Sequence, residues 1–310
     1  MTELIFFNPI FKEMIWGGDN LKKEFGYNIP SDKTGEAWII SAHPQGESTV
    51  ARGKFKGQNL SYLWATHPDI FGNYPGSHFP FLIKIIDACE DLSLQVHPDD
   101  NYANHFKKGA YGKTECWYVL NCQDNSEILI GHNAQTKEEL ERLVSKKSWD
   151  KFIRKLPIKK GDFFQINAGC VHAIKKGTLI LETQQNSNIT FRIYDYDRLQ
   201  NGKKRELHTK EALDVITIPH VDTPLSQTTE TLINATKTAL YSCEYYNVEM
   251  YHTTGPFEIT FNNHFTCVTI IDGKGTINGI NISKGSCFII PNKYGLCGFK
   301  GQLSFVCSYM

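Results

Sequence analysis

Apolar and polar side chains alternate in short runs along most of the chain, and Gly, Pro and Asn break the runs. Alternation with period two is the mark of strands that bury one face. The pattern predicts strands over residues 36–41, 79–87, 92–97, 113–120, 162–166, 171–174, 179–182 and 189–194. From residue 238 onward it predicts strands and turns alone. Helical spacing is rare. Leu60, Leu63 and Trp64 carry it before the breaker His67-Pro68, and a short helix is expected near 210–215. A longer helix over 136–156 is expected from the capping pair Thr136 and Glu139, followed by Leu140, Leu143, Val144, Phe152, Ile153 and Leu156; Pro157 ends it. It reads as a cover. Trp16-Gly17-Gly18 reads as a tight turn, and 219–227 as a crossover between two domains. Many short strands punctuated by turns place the chain in the β-sandwich or barrel class.

The segment Leu92 to Asp100 departs from ordinary alternation. Ser93, Gln95 and His97 share one face, while Leu92, Leu94 and Val96 share the other. An inward polar stripe must be hydrogen-bonded, solvated or bound to something, because bare burial of such groups is costly. Lys113 and Glu115 share a face in the same way. Gln95, His97, Glu115 and His172 together supply two imidazoles, a carboxylate and an amide. That set suits a first-row divalent metal, Zn²⁺ first, with room left for substrate.

Composition narrows the field. Among 310 residues, Lys plus Arg number 33 and Asp plus Glu number 33, so no basic excess points to nucleic acid. No apolar run approaches the about 18 residues of a membrane span, and the N-terminus lacks a signal-peptide pattern. The nine cysteines are scattered and form no Cys-x-x-Cys pair. They read as reduced thiols of a cytoplasmic protein.

An internal similarity then appears. Gly161 is followed by Asn167, Gly169 and His172, while Gly285 is followed by Pro291, Lys293 and Leu296. Both stretches resemble the second signature of cupins, which are small jelly-roll barrels. The resemblance implies a mainly β bicupin of two jelly-roll barrels with a few helices. Its catalytic unit would span 1–225, and a degenerate barrel lacking metal ligands would span 226–310.

A closer resemblance follows from Leu94-Gln95-Val96-His97-Pro98-Asp99, Lys113-Thr114-Glu115-Cys116-Trp117-Tyr118 and Asn167-Ala168-Gly169-Cys170-Val171-His172-Ala173. Ile15-Trp16-Gly17-Gly18, Gly35-Glu36-Ala37-Trp38 and Asn188-Ile189-Thr190-Phe191-Arg192 extend it. These are similar to the signatures of type I mannose-6-phosphate isomerases in their short bacterial form. The family implies one zinc per chain and conversion of mannose 6-phosphate to fructose 6-phosphate through an enediolate. Its metal ligands fall on Gln95, His97, Glu115 and His172. Its substrate positions fall on Lys84, Ser93, Lys113, Glu182 and Arg192, with Arg198 at a basic position.

Chemistry suggests roles for these positions. Glu182 is the expected proton-shuttling base, since the histidines are engaged as ligands. Arg192 and Arg198, six apart, would face one side of a regular strand and clamp the phosphate with Ser93. Lys84 and Lys113 sit among apolar strand residues and need an anionic partner. Lys113 would polarise the carbonyl or neutralise Glu115. Glu36 with Trp16 and Trp38 reads as core and turn structure, and Lys203-Lys204-Arg205 as a solvated loop. Two other functions share some of these features: an iron dioxygenase using a two-histidine, one-carboxylate face, and a sugar-sensing cupin without turnover. The small-molecule partner expected is a sugar phosphate.

Overall fold

The computed structural model describes residues 3–310, and pairing of its short strands produces three large antiparallel sheets and a small hairpin. A seven-stranded sheet runs Phe163–Ile166, Glu115–Cys122, Thr178–Gln185, Phe81–Ala88, Thr34–His43 and Ile10–Gly18, with Gly46–Glu47 beside Thr34–His43. A five-stranded sheet runs Ile153–Pro157, Glu127–His132, His172–Ile174, Leu94–Val96 and Phe191–Tyr194. The third sheet has ten strands and gathers the C-terminal part of the chain.

Alternation assigns each face. From the seven-stranded sheet, Ile83, Ile85, Cys116, Leu179 and Leu181 join one apolar cluster with Val248, Met250 and Val306 of the C-terminal sheet. The opposite face carries Lys84, Glu115, Trp117 and Glu182, all buried. The five-stranded sheet turns Leu94, Val96, Val171, Ala173 and Phe191 outward onto Leu140, Leu143 and Val144 of a helix at Lys137–Ser145. Gln95, His172 and Arg192 face inward on alternate positions. The two sheets therefore form a sandwich with a polar interior at one end. Beyond it lies an apolar floor that includes Ile86, Val119, Ile128, Ile166, Ile174 and Ile180.

The mainly β architecture falls in the expected sandwich or barrel class: none of the sheets closes on itself, and facing sheets meet through side chains instead of edge hydrogen bonds. Two expectations change. The helix expected over 136–156 is two helices, Lys137–Ser145 and Trp149–Phe152, followed by the strand Ile153–Pro157. Its start is as expected, with Glu139 N donating to Thr136 Oγ1 at 3.2 Å. Lys147 has φ +51°, which ends the helical path, and Ile153 and Leu156 pair with His132 and Ile128. Backbone pairing at the sheet edge overrides the helical spacing of those side chains. Trp16, Gly17 and Gly18 end the strand Ile10–Gly18 and do not form a turn. A Cβ on Gly17 would lie 2.3 Å from the Lys33 carbonyl oxygen, so only glycine permits this approach.

The first strand crosses the expected division at residue 225. Ile5 pairs with Ile289 and Phe6 with Phe288, and Leu4 and Phe6 belong to the core of the C-terminal sheet. That core is apolar, and Tyr251, Phe257, Phe288, Phe299 and Phe305 are among its aromatic members. Among the described residues, no helix is long and apolar enough to cross a membrane.

Candidate active site and metal centre

Two cross-strand rows face one another inside the sandwich. In the five-stranded sheet, Gln95 stands opposite both His172 and Arg192. In the seven-stranded sheet, Lys84 stands opposite Trp38 and Glu182, and Glu182 opposite Trp117. The rings of Trp117 and His172 meet edge to face at 5.4 Å, which joins the rows. A cavity of about 370 Å³ opens between them, lined by Lys84, Ser93, Gln95, Lys113, Glu182 and Arg192 among others.

Local sequence explains how the ligand candidates arrive. Pro98 follows His97, and Asp99 caps the next helix by accepting from Tyr102 N at 2.8 Å. Lys113 N donates to the Pro98 carbonyl at 3.0 Å. A Cβ on the preceding Gly112 would lie 2.5 Å from the Asp99 backbone, so glycine is needed for that crossing. Gly169, at φ +83°, donates its N–H to the His97 carbonyl at 2.9 Å and brings the chain round to His172.

His97, Glu115 and His172 place one ligand atom each within 4.8 Å of the others. Each imidazole is fixed from behind. Nδ1 of His97 donates to the Ile189 carbonyl at 2.8 Å, and Nδ1 of His172 to the Cys170 carbonyl at 2.9 Å. Both Nε2 lone pairs are thereby aimed at Glu115, whose Oε2 and Oε1 lie 3.5 Å from the His97 and His172 nitrogens. Oε1 of Glu115 is buried without a hydrogen-bond partner. Gln95 donates Nε2–H to His172 Nε2 at 3.3 Å and closes the group. Lys113 donates to His97 Nε2 at 3.0 Å and to Glu115 Oε2.

Electrostatics prepare these groups to bind a cation. Burial, followed by Lys113, lowers His97 to about 3, and burial lowers His172 as well. Both imidazoles are neutral donors at neutral pH. Burial opposes ionisation of Glu115, but Lys113 and the histidines outweigh it and hold the carboxyl well below its ordinary value. An orphaned carboxylate oxygen beside two inward lone pairs fits a divalent first-row metal.

Across the cavity, Lys84 Nζ lies 3.4 Å from Glu182 Oε2 and 3.6 Å from Glu36 Oε2. Burial disfavours its charge, yet the two carboxylates more than compensate, and the Lys84 pKa is raised. Trp117 Nε1 donates to Glu182 Oε1 at 3.1 Å. Burial, with Glu115 nearby, raises the Glu182 carboxyl above its ordinary value.

Comparison with known proteins places this geometry. The model of the phosphomannose isomerase type I catalytic domain matches residues 4–119, and that of the mannose-6-phosphate isomerase cupin domain matches 236–310. The chain is 46% identical over 304 residues to mannose-6-phosphate isomerase ManA of Bacillus subtilis, covering 96% of each. The chain belongs to the type I phosphomannose isomerase family. It is also 42% identical to the mannose-6-phosphate isomerase of Streptococcus mutans, over 100% of this chain and 99% of that one. A crystal structure of the Bacillus subtilis mannose 6-phosphate isomerase superposes with TM-score 0.98 at 43% identity over the full length of both chains. A phosphomannose isomerase from Salmonella typhimurium shares the fold at TM-score 0.79 and 12% identity.

Within this phosphomannose isomerase fold, the expected residues divide into two groups. Lys84, Ser93, Gln95, Lys113, Glu182 and Arg192 converge on the cavity, with His97, Glu115 and His172 at its inner end. Arg198 does not reach it. Tyr196 and Asp197, at φ +56° and +54°, turn the chain after Phe191–Tyr194, so the six-residue spacing does not keep one face. Arg198 instead binds Asp195 and the Asp91 carbonyl, and it lines a neighbouring cavity of about 770 Å³.

Among the cavity residues that sequence reading missed are Glu36, Trp38 and Arg205. Glu36 and Trp38, read as core, line the cavity, with Trp38 Nε1 donating to Glu36. Trp38 pairs with Lys84 and Glu36 with Ile86, a register that no local pattern encodes. Arg205, read as part of a solvated loop, lines the cavity as well.

Proposed function

We propose that this chain is a zinc-dependent mannose-6-phosphate isomerase that interconverts mannose 6-phosphate and fructose 6-phosphate through an enediolate. One observation carries the reading: a buried carboxyl of raised pKa, Glu182, faces the His97–Glu115–His172 group across a cavity with Arg192 on its wall. The names of the full-length relatives support it.

His97, Glu115 and His172 would hold the metal, and Gln95, whose amide here turns Nε2 toward His172, would add its carboxamide oxygen after rotating that amide. Bound there, zinc would supply positive charge beside the sugar oxygens where negative charge develops. Glu182 takes the proton from the carbon next to the carbonyl and returns it to the neighbouring carbon. Its raised pKa suits both halves of that transfer. Lys84 holds Glu182 in place and lends its charge to the enediolate. Lys113, bonded to Glu115, neutralises that carboxylate, the second of its two expected roles. Arg192, steadied by Ser93 at 3.3 Å, points toward the phosphate.

The C-terminal unit reads as a degenerate second cupin, a view supported by its apolar core and by the lack, among its described residues, of a His, Cys, Asp or Glu group able to hold a metal. Nine free thiols support a reducing, cytoplasmic setting. The test is a coupled assay of purified protein with mannose 6-phosphate before chelation, after exhaustive chelation and after zinc restoration. Isomerisation lost on chelation and regained with zinc is expected. Absence of conversion, or conversion indifferent to chelation, would overturn the proposal, and sugar binding without turnover would indicate a sensor.

A further inference from the structure

The outer end of the cavity holds more positive charge than the protein neutralises. Two guanidiniums, those of Arg198 and Arg205, share the single carboxylate of Asp195, and a third, that of Arg192, has no carboxylate partner among the described residues. Arg192 donates Nε–H to Ser93 Oγ at 3.3 Å and Nη1–H to the Glu206 carbonyl at 2.9 Å, both neutral acceptors. Asp195 is 4% exposed. Its Oδ2 accepts from Arg205 Nε at 2.7 Å, and its Oδ1 accepts from Nη2 of both Arg205 and Arg198.

We propose that Arg205 is the second phosphate-binding guanidinium of this site, and that Asp195 is the residue that positions it. The inference rests on the isomerase reading for its substrate and deepens it. Four observations converge. Arg205 lines this cavity with Arg192, Ser93, Asn188 and Thr190 as well as the neighbouring one, whereas Arg198 lines only the neighbouring one. The bidentate grip of Asp195 occupies Nε and Nη2 and fixes the plane of the Arg205 fork. Nη1 of Arg205 and Nη2 of Arg192 are left without a protein partner among the described residues. The Arg192–Glu206 hydrogen bond ties the backbone next to Arg205 to the first arginine.

Charge complementarity names the ligand. Two guanidiniums share one carboxylate and the third is bonded to neutral acceptors, an excess of positive charge that suits a phosphate monoester carrying roughly −1.5 to −2 near neutral pH. The exposed neighbours Lys203 and Lys204 take no part in this cluster. Arg198 completes the hydrogen bonding of Asp195 and so acts through it.

The experiment compares Arg205→Gln, Arg205→Lys, Arg198→Gln and Asp195→Asn with the parent. KM and kcat are measured for mannose 6-phosphate, and inorganic phosphate is used as a competitive inhibitor. Arg205→Gln is expected to raise both KM and the phosphate inhibition constant about tenfold or more, with kcat within about threefold. Arg205→Lys recovers part of the loss because it keeps the charge without the fork. It also replaces Arg205→Gln if that variant melts early. Asp195→Asn shifts KM in the same direction by less, again at nearly constant kcat. Arg198→Gln raises KM less than Arg205→Gln does. The proposal is overturned if Arg205→Gln leaves both constants within about twofold, or if Arg198→Gln has the larger effect. Should the parent fail to turn over the sugar, calorimetric titration with inorganic phosphate still decides: weaker binding by Arg205→Gln supports the anion site, and equal binding refutes it.

Discussion

Lys84 and Glu182 stand directly opposite one another on neighbouring strands, both buried, with Nζ 3.4 Å from Oε2. The lysine also contacts Glu36, so one ammonium serves two carboxylates. The pair holds a proton acceptor in a fixed place inside a sandwich and keeps it charged when needed. Removing one partner of such a pair disturbs the other, whereas an isosteric change leaves the packing intact.

Replacing Glu182 with Gln tests the base. Catalysis by a placed acid or base contributes about 10²–10⁴-fold, so kcat should fall by that order while metal content stays at the parent level. Steady-state kinetics with elemental analysis checks both. A kcat within about tenfold of the parent would move the base elsewhere. Because the carboxyl sits above its ordinary value, the acidic limb of kcat/KM should lie higher than for an exposed glutamate. Activity should rise with pH as the group deprotonates.

His172→Ala tests the metal centre. It removes one of two lone pairs that backbone carbonyls aim at Glu115. Metal retained after gel filtration should drop well below the parent level, and activity should drop in proportion. Full retention of metal in this variant would mean that His172 packs beside the ion without ligating it.

Asp195 makes stability depend on acid. Burial alone would raise its carboxyl, but the bonds from Arg205 and Arg198 hold it below the ordinary 3.8. A depressed folded value gives stability that is fully present above the unfolded value and lost as pH falls through the folded one. Asp195→Asn should therefore lower stability at pH 7 by about 1–2 kcal/mol. The gap to the parent should narrow steadily in thermal melts taken below pH 3.8. A gap independent of pH would assign the loss to packing.

Leu140→Ala separates structure from chemistry. Leu140 is fully buried in the helix Lys137–Ser145, on the outer face of the five-stranded sheet. Truncation should cost about 2–5 kcal/mol in denaturant unfolding. KM for mannose 6-phosphate should not change, since this helix packs on the face away from His172 and Gln95. A large change in KM would show that the outer face is coupled to the site.

By itself, the sequence determined whatever repeats locally. Period-two alternation marked the strands and set Ser93, Gln95 and His97 on one face, because successive strand side chains must point opposite ways. The motif around His172 and the inward Glu115 could be collected for the same reason, as could the Thr136 cap, which spans three residues. Tertiary structure alone decided what depends on which strand lies beside which. It placed Ile5–Asn8 in the C-terminal sheet, drew Ile153 and Leu156 into an edge strand, and set Glu36 within reach of Lys84. The arginines show the reason most plainly. Spacing assumed that a strand continued from Arg192 to Arg198, but two residues of positive φ turned the chain. Asp195 then gathered Arg205 from a loop ten residues on, and no local pattern encodes a hydrogen bond across such a turn.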